Sequence, residues 1–281
     1  MKSKKYLVLA VLPILAGMVL KVLTNVPAEG IAISGAHIYF TIPMPLQDLP
    51  ITEAQVNSWL VIASLFFLCR YLTSDLTVRG GSVRQMLAEW IVEKTEGLVM
   101  ENMGSFFAGF APFVGAILGL SALSSLLTLV GLFPPTSDLN ISAGWALAVF
   151  ILITHYKLKG GLGNYLKGFT EPIPVMLPMN IIGELATPVA MAFRHYGNIL
   201  SGMVISVLVS AALQGLSRLF LPVPLLQIGL PAVLSIYFDV FSGCLQAFIF
   251  AMLTMLNISS GFPAEEYEKR QKRKTAEKAR I

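Results

Sequence analysis

Within the apolar stretch from Met176 to Gln214, four polar side chains sit near the middle: Glu184, Arg194, His195 and Asn198. A charge at bilayer depth costs about 2.5–3.5 kcal/mol on insertion scales. A chain that keeps such groups in an apolar run has a use for them. A guanidinium stays protonated at any ordinary pH, so Arg194 cannot carry a proton. It can repel a cation, or hold a nearby carboxylate in its ionised form. Glu184 can exchange protons when burial and neighbours tune it. At 100° per residue, Thr187, Met191, Arg194, Asn198 and Ser201 follow steps of three and four and share one helix face. Glu184 and His195 are eleven apart and form an adjacent stripe.

A second constellation has the same periodicity. Ser235, Asp239, Ser242 and Gln246 step by three and four through the last apolar run. Two long helices therefore each offer a polar stripe. If they pack as neighbours, the stripes face each other or an aqueous crevice, where buried charge is tolerated. Asp239 and Glu184 then belong to a proton relay. Plainer readings stand beside this one. Arg194 can be salt-bridged to Asp239 or Glu184 for packing. His195, which points away from Arg194, suits packing or hydrogen bonding. Asn198 and Gln246 can bridge helices or line a polar path. His37 and His155 lie near membrane ends and carry no expected role.

Other chemistries lack their signatures. The chain has no Gly-x4-Gly-Lys-Ser/Thr, no CxxC and no HExxH. No metal site and no cofactor are expected. Cys69 and Cys244 both lie in apolar runs and read as small buried hydrophobes.

The elements that must position these residues follow from hydropathy. Of 281 residues, 55% are hydrophobic and only 13% charged, with a mean hydropathy of +0.72. Soluble domains carry about 25% charged residues. The fold class is all-α, a polytopic membrane protein with about six apolar helices. Residues 6–23 form the first, read as a retained anchor rather than a signal peptide, since Val26-Pro27-Ala28 is a poor cleavage site. Residues 53–73, 106–132 and 141–156 are further spans. Residues 176–214 and 228–257 are the two long ones, expected to be tilted and to form a hairpin. The first of these would be about 58 Å long as one helix, against a hydrocarbon core of about 30 Å. Residues 78–103 carry Gln85, Glu89, Glu93, Lys94 and Glu96 among Met86, Leu87, Trp90 and Ile91. They predict an amphipathic helix lying on the membrane surface.

The connections are read from turn residues and charge. Thr24 to Thr52 is a Pro- and Gly-containing outer loop in which His37–Ile42 alternates as a short hairpin strand. Phe133–Asn140 and Arg218–Gln227 are turn-rich outer segments, Lys157–Thr170 is a Gly-rich inner loop, and residues 262–281 form a basic tail. Lys and Arg are absent between Lys21 and Arg70 and between Lys94 and Lys157. That alternation places both termini on the cytoplasmic side. The basic tail abuts a membrane span and has no interleaved aromatics, so nucleic acid is not its expected partner.

Several motifs carry a resemblance. PVAMAFRHYGN (188–198), LQAFIFAMLT (245–254), PPTSDLN (134–140) and GFTEPIPVMLPMNII (168–182) are similar to elements of the a subunit of F-type ATP synthases. The likeness runs from about Ile51 to Gly261. It implies a non-nucleotide-binding, ion-translocating stator in the cell membrane. Its partners would be a ring of c subunits, peripheral-stalk b subunits, the F1 complex indirectly, and the bilayer. The family's arginine, asparagine and glutamine fall on Arg194, Asn198 and Gln246. Its acidic or histidine position seven before the glutamine falls on Asp239. Arg194 would keep a ring carboxylate ionised and block leakage between two half-channels. Their candidate lining residues are Glu184, His195, Asn198, Ser235, Asp239, Ser242 and Gln246, with Asp138 and Asn140 from the outer loop. The usual R-L-F-G-N reads R-H-Y-G-N here, and the position nine after the arginine, acidic in some members, is Met203. The coupling ion, H+ or Na+, is not legible. A secondary cation/proton transporter is the alternative; it predicts an internal repeat, and none is visible. A purely structural membrane subunit would leave the central charges without work.

Overall fold

The structure is a computed structural model that describes residues 2–24, 35–45, 47–78, 81–170, 173–220, 229–265 and 267. The possible cleavage site at 26–28, the side chains of the outer turn 218–227 and nearly all of the basic tail lie outside the described residues.

Six described helical segments are long and apolar enough to cross a membrane: Lys5–Thr24, Glu53–Leu72, Ser105–Val130, Leu139–Leu158, Pro174–Ser217 and Leu230–Gly261. We number the helices α1 (Lys2–Thr24), α2 (Glu53–Leu72), α3 (Val83–Met103), α4 (Ala111–Leu126), α5 (Leu139–Leu158), α6 (Leu162–Thr170), α7 (Leu177–Phe220), α8 (Leu230–Ser235) and α9 (Gly243–Gly261). Their ends follow local chemistry. Thr52 caps α2 by accepting from Gln55 N at 3.3 Å. Asp138 caps α5 by accepting from Asn140 N at 2.9 Å. Such caps satisfy amides that the first turn leaves without partners. Gly104 ends α3 at φ 79°, a left-handed value that favours glycine.

The expected hairpin in the outer loop forms, with β1 (Ile38–Ile42) antiparallel to β2 (Leu49–Thr52). It runs straight into α2. At this end Lys21 of α1 pairs with the buried Glu53 at 3.2 Å. Glu53 also accepts from Phe133 N at 3.3 Å, and Asn57 donates to Phe133 O at 2.8 Å. One buried carboxylate thus ties α1, α2 and the turn after α4 together. At the other end of the α1–α2 pair, Arg70 lies over the Tyr6 ring at 5.5 Å.

The main core lies where α3, α4, α5, α7 and α9 converge, around Val99, Val114, Val149, Met191, Phe250 and Met255. Much of the remaining apolar surface faces outward, including Trp59, Phe66, Leu185, Val189 and Phe241. In lipid, apolar exposure carries no penalty, so helices associate through close packing at small residues. Gly243 is the tightest such point between α9 and α4: a Cβ there would lie 2.6 Å from Ser125 Cβ.

Four differences from the sequence reading have physical causes. Cys69 and Cys244 are exposed rather than buried, because outward-facing positions of a membrane helix are apolar too. The inner segment Lys157–Thr170 is not all loop: it contains α6 after Gly161, whose φ is 108°. The amphipathic helix begins at Val83, capped by Ser82. It packs Thr95, Val99 and Met103 inward but leaves Met86, Trp90 and Ile91 outside, so its packed side is narrower than its apolar pattern. The outer segment Phe133–Asn140 is not all turn: Pro135–Ser137 forms a short 3-10 helix, and residues 134–137 are buried because the segment folds back onto the bundle.

The two long segments exceed their expected bounds. Helix α7 has 44 residues, about 66 Å at 1.5 Å per residue, so it does not fit upright within a 30 Å core. Pro188 lies inside it. The last segment is α-helical except for a π-helical stretch, Ile236–Ser242, between α8 and α9.

Gly243→Ala should lower the thermal-inactivation midpoint of the purified complex by overpacking α9 on α4, a penalty of about 1–3 kcal/mol. Adding Ser125→Gly should recover most of it. An unchanged midpoint in Gly243→Ala would show that this contact is not close-packed.

Candidate functional site

Helices α7 and α9 run antiparallel across each other. Asn257 Nδ2 reaches Met191 Sδ at 4.0 Å, the His195 ring lies 5.3 Å from the Phe250 ring, and Gly202 sits against Phe238. Between these contacts the polar stripes meet. Ser242 Oγ donates to Asn198 Oδ1 at 2.9 Å, and Asn198 Nδ2 donates to the Ser242 carbonyl at 3.5 Å. The carbonyl and hydroxyl come from the last residue of the π-helical stretch, where the regular ladder is widened. Asp239 is half-buried in the same stretch and accepts from Ser235 Oγ. Gln246, one turn beyond Ser242, is 5% exposed, and its Nε2 donates to no described group.

Arg194 lies on the exposed side of α7. Among the described residues it makes no ion pair. The packing alternative, a salt bridge to Asp239 or Glu184, is therefore absent. Both acids are engaged elsewhere. Phe193 and Val189, on the same stretch of α7, are exposed as well.

Glu184 is ten residues before Arg194, about 15 Å along the helix. Lys157 Nζ, from the end of α5, donates to both of its carboxylate oxygens at 2.8 Å. The Tyr165 hydroxyl of α6 lies 3.5 Å from Oε1. Burial, then the charge of Glu184 and the hydrogen bond to it, raise the Tyr165 phenol above its ordinary value, so it stays protonated at neutral pH. Two cavities adjoin at this ion pair. One of about 390 Å³ is lined by Asn164, Tyr165, Asn180 and Glu184. The other, of about 310 Å³, is lined by Glu184, Thr187, Asn257 and Ser260. The second extends from the ion pair towards the level of Met191.

His195 does not join the Asn198–Ser242 contact. It is 1% exposed and turned into the bundle, with Nε2 3.1 Å from Ser121 Oγ of α4. The Asp138 side chain caps α5 by accepting from the Asn140 amide, and among the described residues neither side chain hydrogen-bonds the seam's polar groups. The structure thus brings Asn198, Ser242, Asp239 and Ser235 together with Gln246 close by. It sets Glu184 apart in its own pocket.

Four participants escaped the sequence reading. Lys157 was counted only as a basic loop residue, and Tyr165 was not singled out. Ser121 and Ser125 of α4 abut the seam, Ser121 through His195 and Ser125 against Gly243. Their signal was the polar i, i+3, i+4 spacing of Ser121, Ser124 and Ser125 within an apolar run.

Comparison with known proteins identifies the family. A sequence profile described as ATP synthase A chain matches residues 55–259. The chain is 33% identical to ATP synthase subunit a 2 of Acaryochloris marina over 219 residues, 75% of this chain and 86% of that protein. It is 28% identical to the sodium ion specific ATP synthase subunit a of Propionigenium modestum, covering 84% and 88% of the two chains. With ATP synthase subunit a of Legionella pneumophila (strain Corby) the identity is 27%, covering 82% and 94%. The matched region takes in every helix of the seam and both polar stripes, and on that extent this chain belongs to the ATP synthase A chain family.

Proposed function

We propose that this chain performs its family's stator role by dividing an ion path at Arg194. The observation that carries the proposal is a guanidinium on the exposed face of α7 that forms no ion pair among the described residues, with the acids of both stripes committed to other partners. A cation so placed is costly in apolar surroundings unless a partner supplies the counter-charge. The chemistry that fits is a carboxylate on a moving neighbour, a ring of c subunits. Arg194 lowers the proton affinity of each passing carboxylate and repels a cation that would cross directly between the two access paths.

The seam offers a group on each side of the arginine. On one side, Asp239, Ser235, Ser242, Asn198 and Gln246 form the outer half-channel. Asp239 accepts a hydrogen bond from the Ser235 hydroxyl, and its carboxylate is the group on this side able to take up and release an ion. On the other side, Glu184 with Lys157, Tyr165 and the two adjoining cavities forms the inner half-channel. The basic residues at that end, Lys157, Lys159 and Lys167, suit the cytoplasmic face, which puts both termini there and the chain in the cell membrane. The coupling ion is H+ or Na+, and the ring's own carboxylate site would select it. Peripheral-stalk b subunits are the remaining membrane neighbours, and F1 is reached only through them and the ring. A secondary transporter, the sequence-level alternative, is set aside by family membership.

Arg194→Ala should reduce ATP-driven ion pumping and gradient-driven ATP synthesis in membrane vesicles to background. Survival of either activity would sink the proposal.

Asp239→Asn should slow ion entry while leaving the subunit's abundance in the complex unchanged. If the variant subunit is lost from the complex, Asp239 is a packing residue instead. Glu184→Gln should slow conduction at the other end, and Lys157→Gln should slow it too; vesicles that pump normally with both changes would remove this pocket from the path.

A further inference from the structure

The buried imidazole next to Arg194 is used by neither half-channel. His195 is 1% exposed and held from three sides. Ser121 Oγ of α4 lies 3.1 Å from Nε2. The Trp145 ring of α5 lies 5.8 Å away at 62°, and the Phe250 ring of α9 lies 5.3 Å away at 77°. Its Nδ1 meets no described partner. Consecutive helical residues differ by about 100° in direction. Whatever fixes His195 therefore fixes the direction in which Arg194 leaves the helix.

We propose that His195, through its hydrogen bond to Ser121, is a positioning residue that sets the rotation of α7 and so aims Arg194 outward. This rests on the stator reading of Arg194 given above. Two features favour it. First, the other buried residues of α7 around the arginine, Met191, Ala192 and Ile199, are apolar and pack without direction, so His195 and, one turn on, Asn198 bonded to Ser242 supply the directional contacts. Second, an apolar residue at this position, such as the leucine of the R-L-F-G-N pattern, packs without direction. A hydrogen bond tolerates only a few tenths of an ångström and about 30°. Here the side chain bonds α4, which itself closes on α9 at Gly243 through Ser125, one turn from Ser121. The helix carrying the arginine is thus keyed to the same α4 surface that holds α9.

The test uses the whole assembled complex in membrane vesicles. A reporter cysteine replaces Ala190, which is exposed one turn before Arg194, in a Cys69→Ser/Cys244→Ser background because both native thiols are exposed. Its oxidative cross-linking rate to a cysteine in the ring's outer helix is measured beside ATP-driven pumping and subunit abundance. His195→Leu and Ser121→Ala should each lower cross-linking and pumping together, by roughly three- to tenfold, the scale of one lost buried hydrogen bond, at unchanged abundance. His195→Gln keeps an amide within reach of Ser121 and should restore most of both. If His195→Leu leaves both rates unchanged, the proposal is wrong. Pumping lost without a change in cross-linking would make His195 an ion-path residue and also overturn it. Cross-linking lost without loss of pumping, or losses that only track abundance, reject it as well. Arg194→Ala is run alongside. Pumping that survives that change rejects the stator reading itself, whereas a neutral His195→Leu beside an inactive Arg194→Ala rejects only the positioning role.

Discussion

A positive charge that cannot be neutralised by titration, set on an apolar helix surface, constrains everything around it. Arg194 has no counter-ion among the described residues, although two carboxylates lie within a few turns on the long helices. Each is restrained. Lys157 holds Glu184 with two 2.8 Å hydrogen bonds, and the Ser235 hydroxyl engages Asp239 within its own helix. Were either acid to reach the guanidinium, the pair would neutralise itself, and in the proposed mechanism a ring carboxylate would find no charge to meet. The local pairings therefore do more than satisfy their own groups. They keep the seam's acids off its single central cation.

That arrangement needs helices that approach closely without an aqueous hydrophobic effect to drive them. Burial in lipid gives little between apolar surfaces, so small residues and hydrogen bonds decide the approach. Gly243 against Ser125 and Gly202 against Phe238 set the spacing of α9 from α4 and of the π-helical stretch from α7. The Asn198–Ser242 contact then sits where α7 comes close to that stretch. A π-helical turn at this point places both the hydroxyl and the carbonyl of Ser242 towards α7. At the far end of the bundle the same economy recurs. The buried Glu53 is neutralised by Lys21 and shared with the Phe133 amide, so one charge pair joins three segments.

Much of this was legible in the sequence, and the reason is the same physics. Long apolar runs report spans directly, and a periodic polar stripe inside one reports a face that cannot meet lipid. The periodicity allowed the facing of Asn198 and Ser242, given that the two helices become neighbours. What was not legible depends on which helices become neighbours. Lys157 and Glu184 are 27 residues apart, and nothing local marks them as partners. Ser121 reads as one more small residue until His195 is placed against it. The surface rule for cysteine also inverts: outward positions on α2 and α9 are apolar, so Cys69 and Cys244 sit there at no cost. Helix α6 was hidden by its glycines, and it has no buried residue to betray it.

The position after the arginine shows how a change in one residue type shifts the means of control. An apolar side chain there contributes volume, and its helix is free to settle wherever packing is best. An imidazole contributes volume and a direction. It is tolerable at 1% exposure only because Ser121 takes one ring nitrogen and two aromatic edges enclose the ring. A buried polar group without a partner costs about 1–3 kcal/mol. As proposed, the histidine and the α4 serine act as a coupled pair joined by the 3.1 Å contact. In the proposed mechanism that coupling extends to the arginine, because a helix rotated to satisfy the imidazole is a helix whose next face is already chosen.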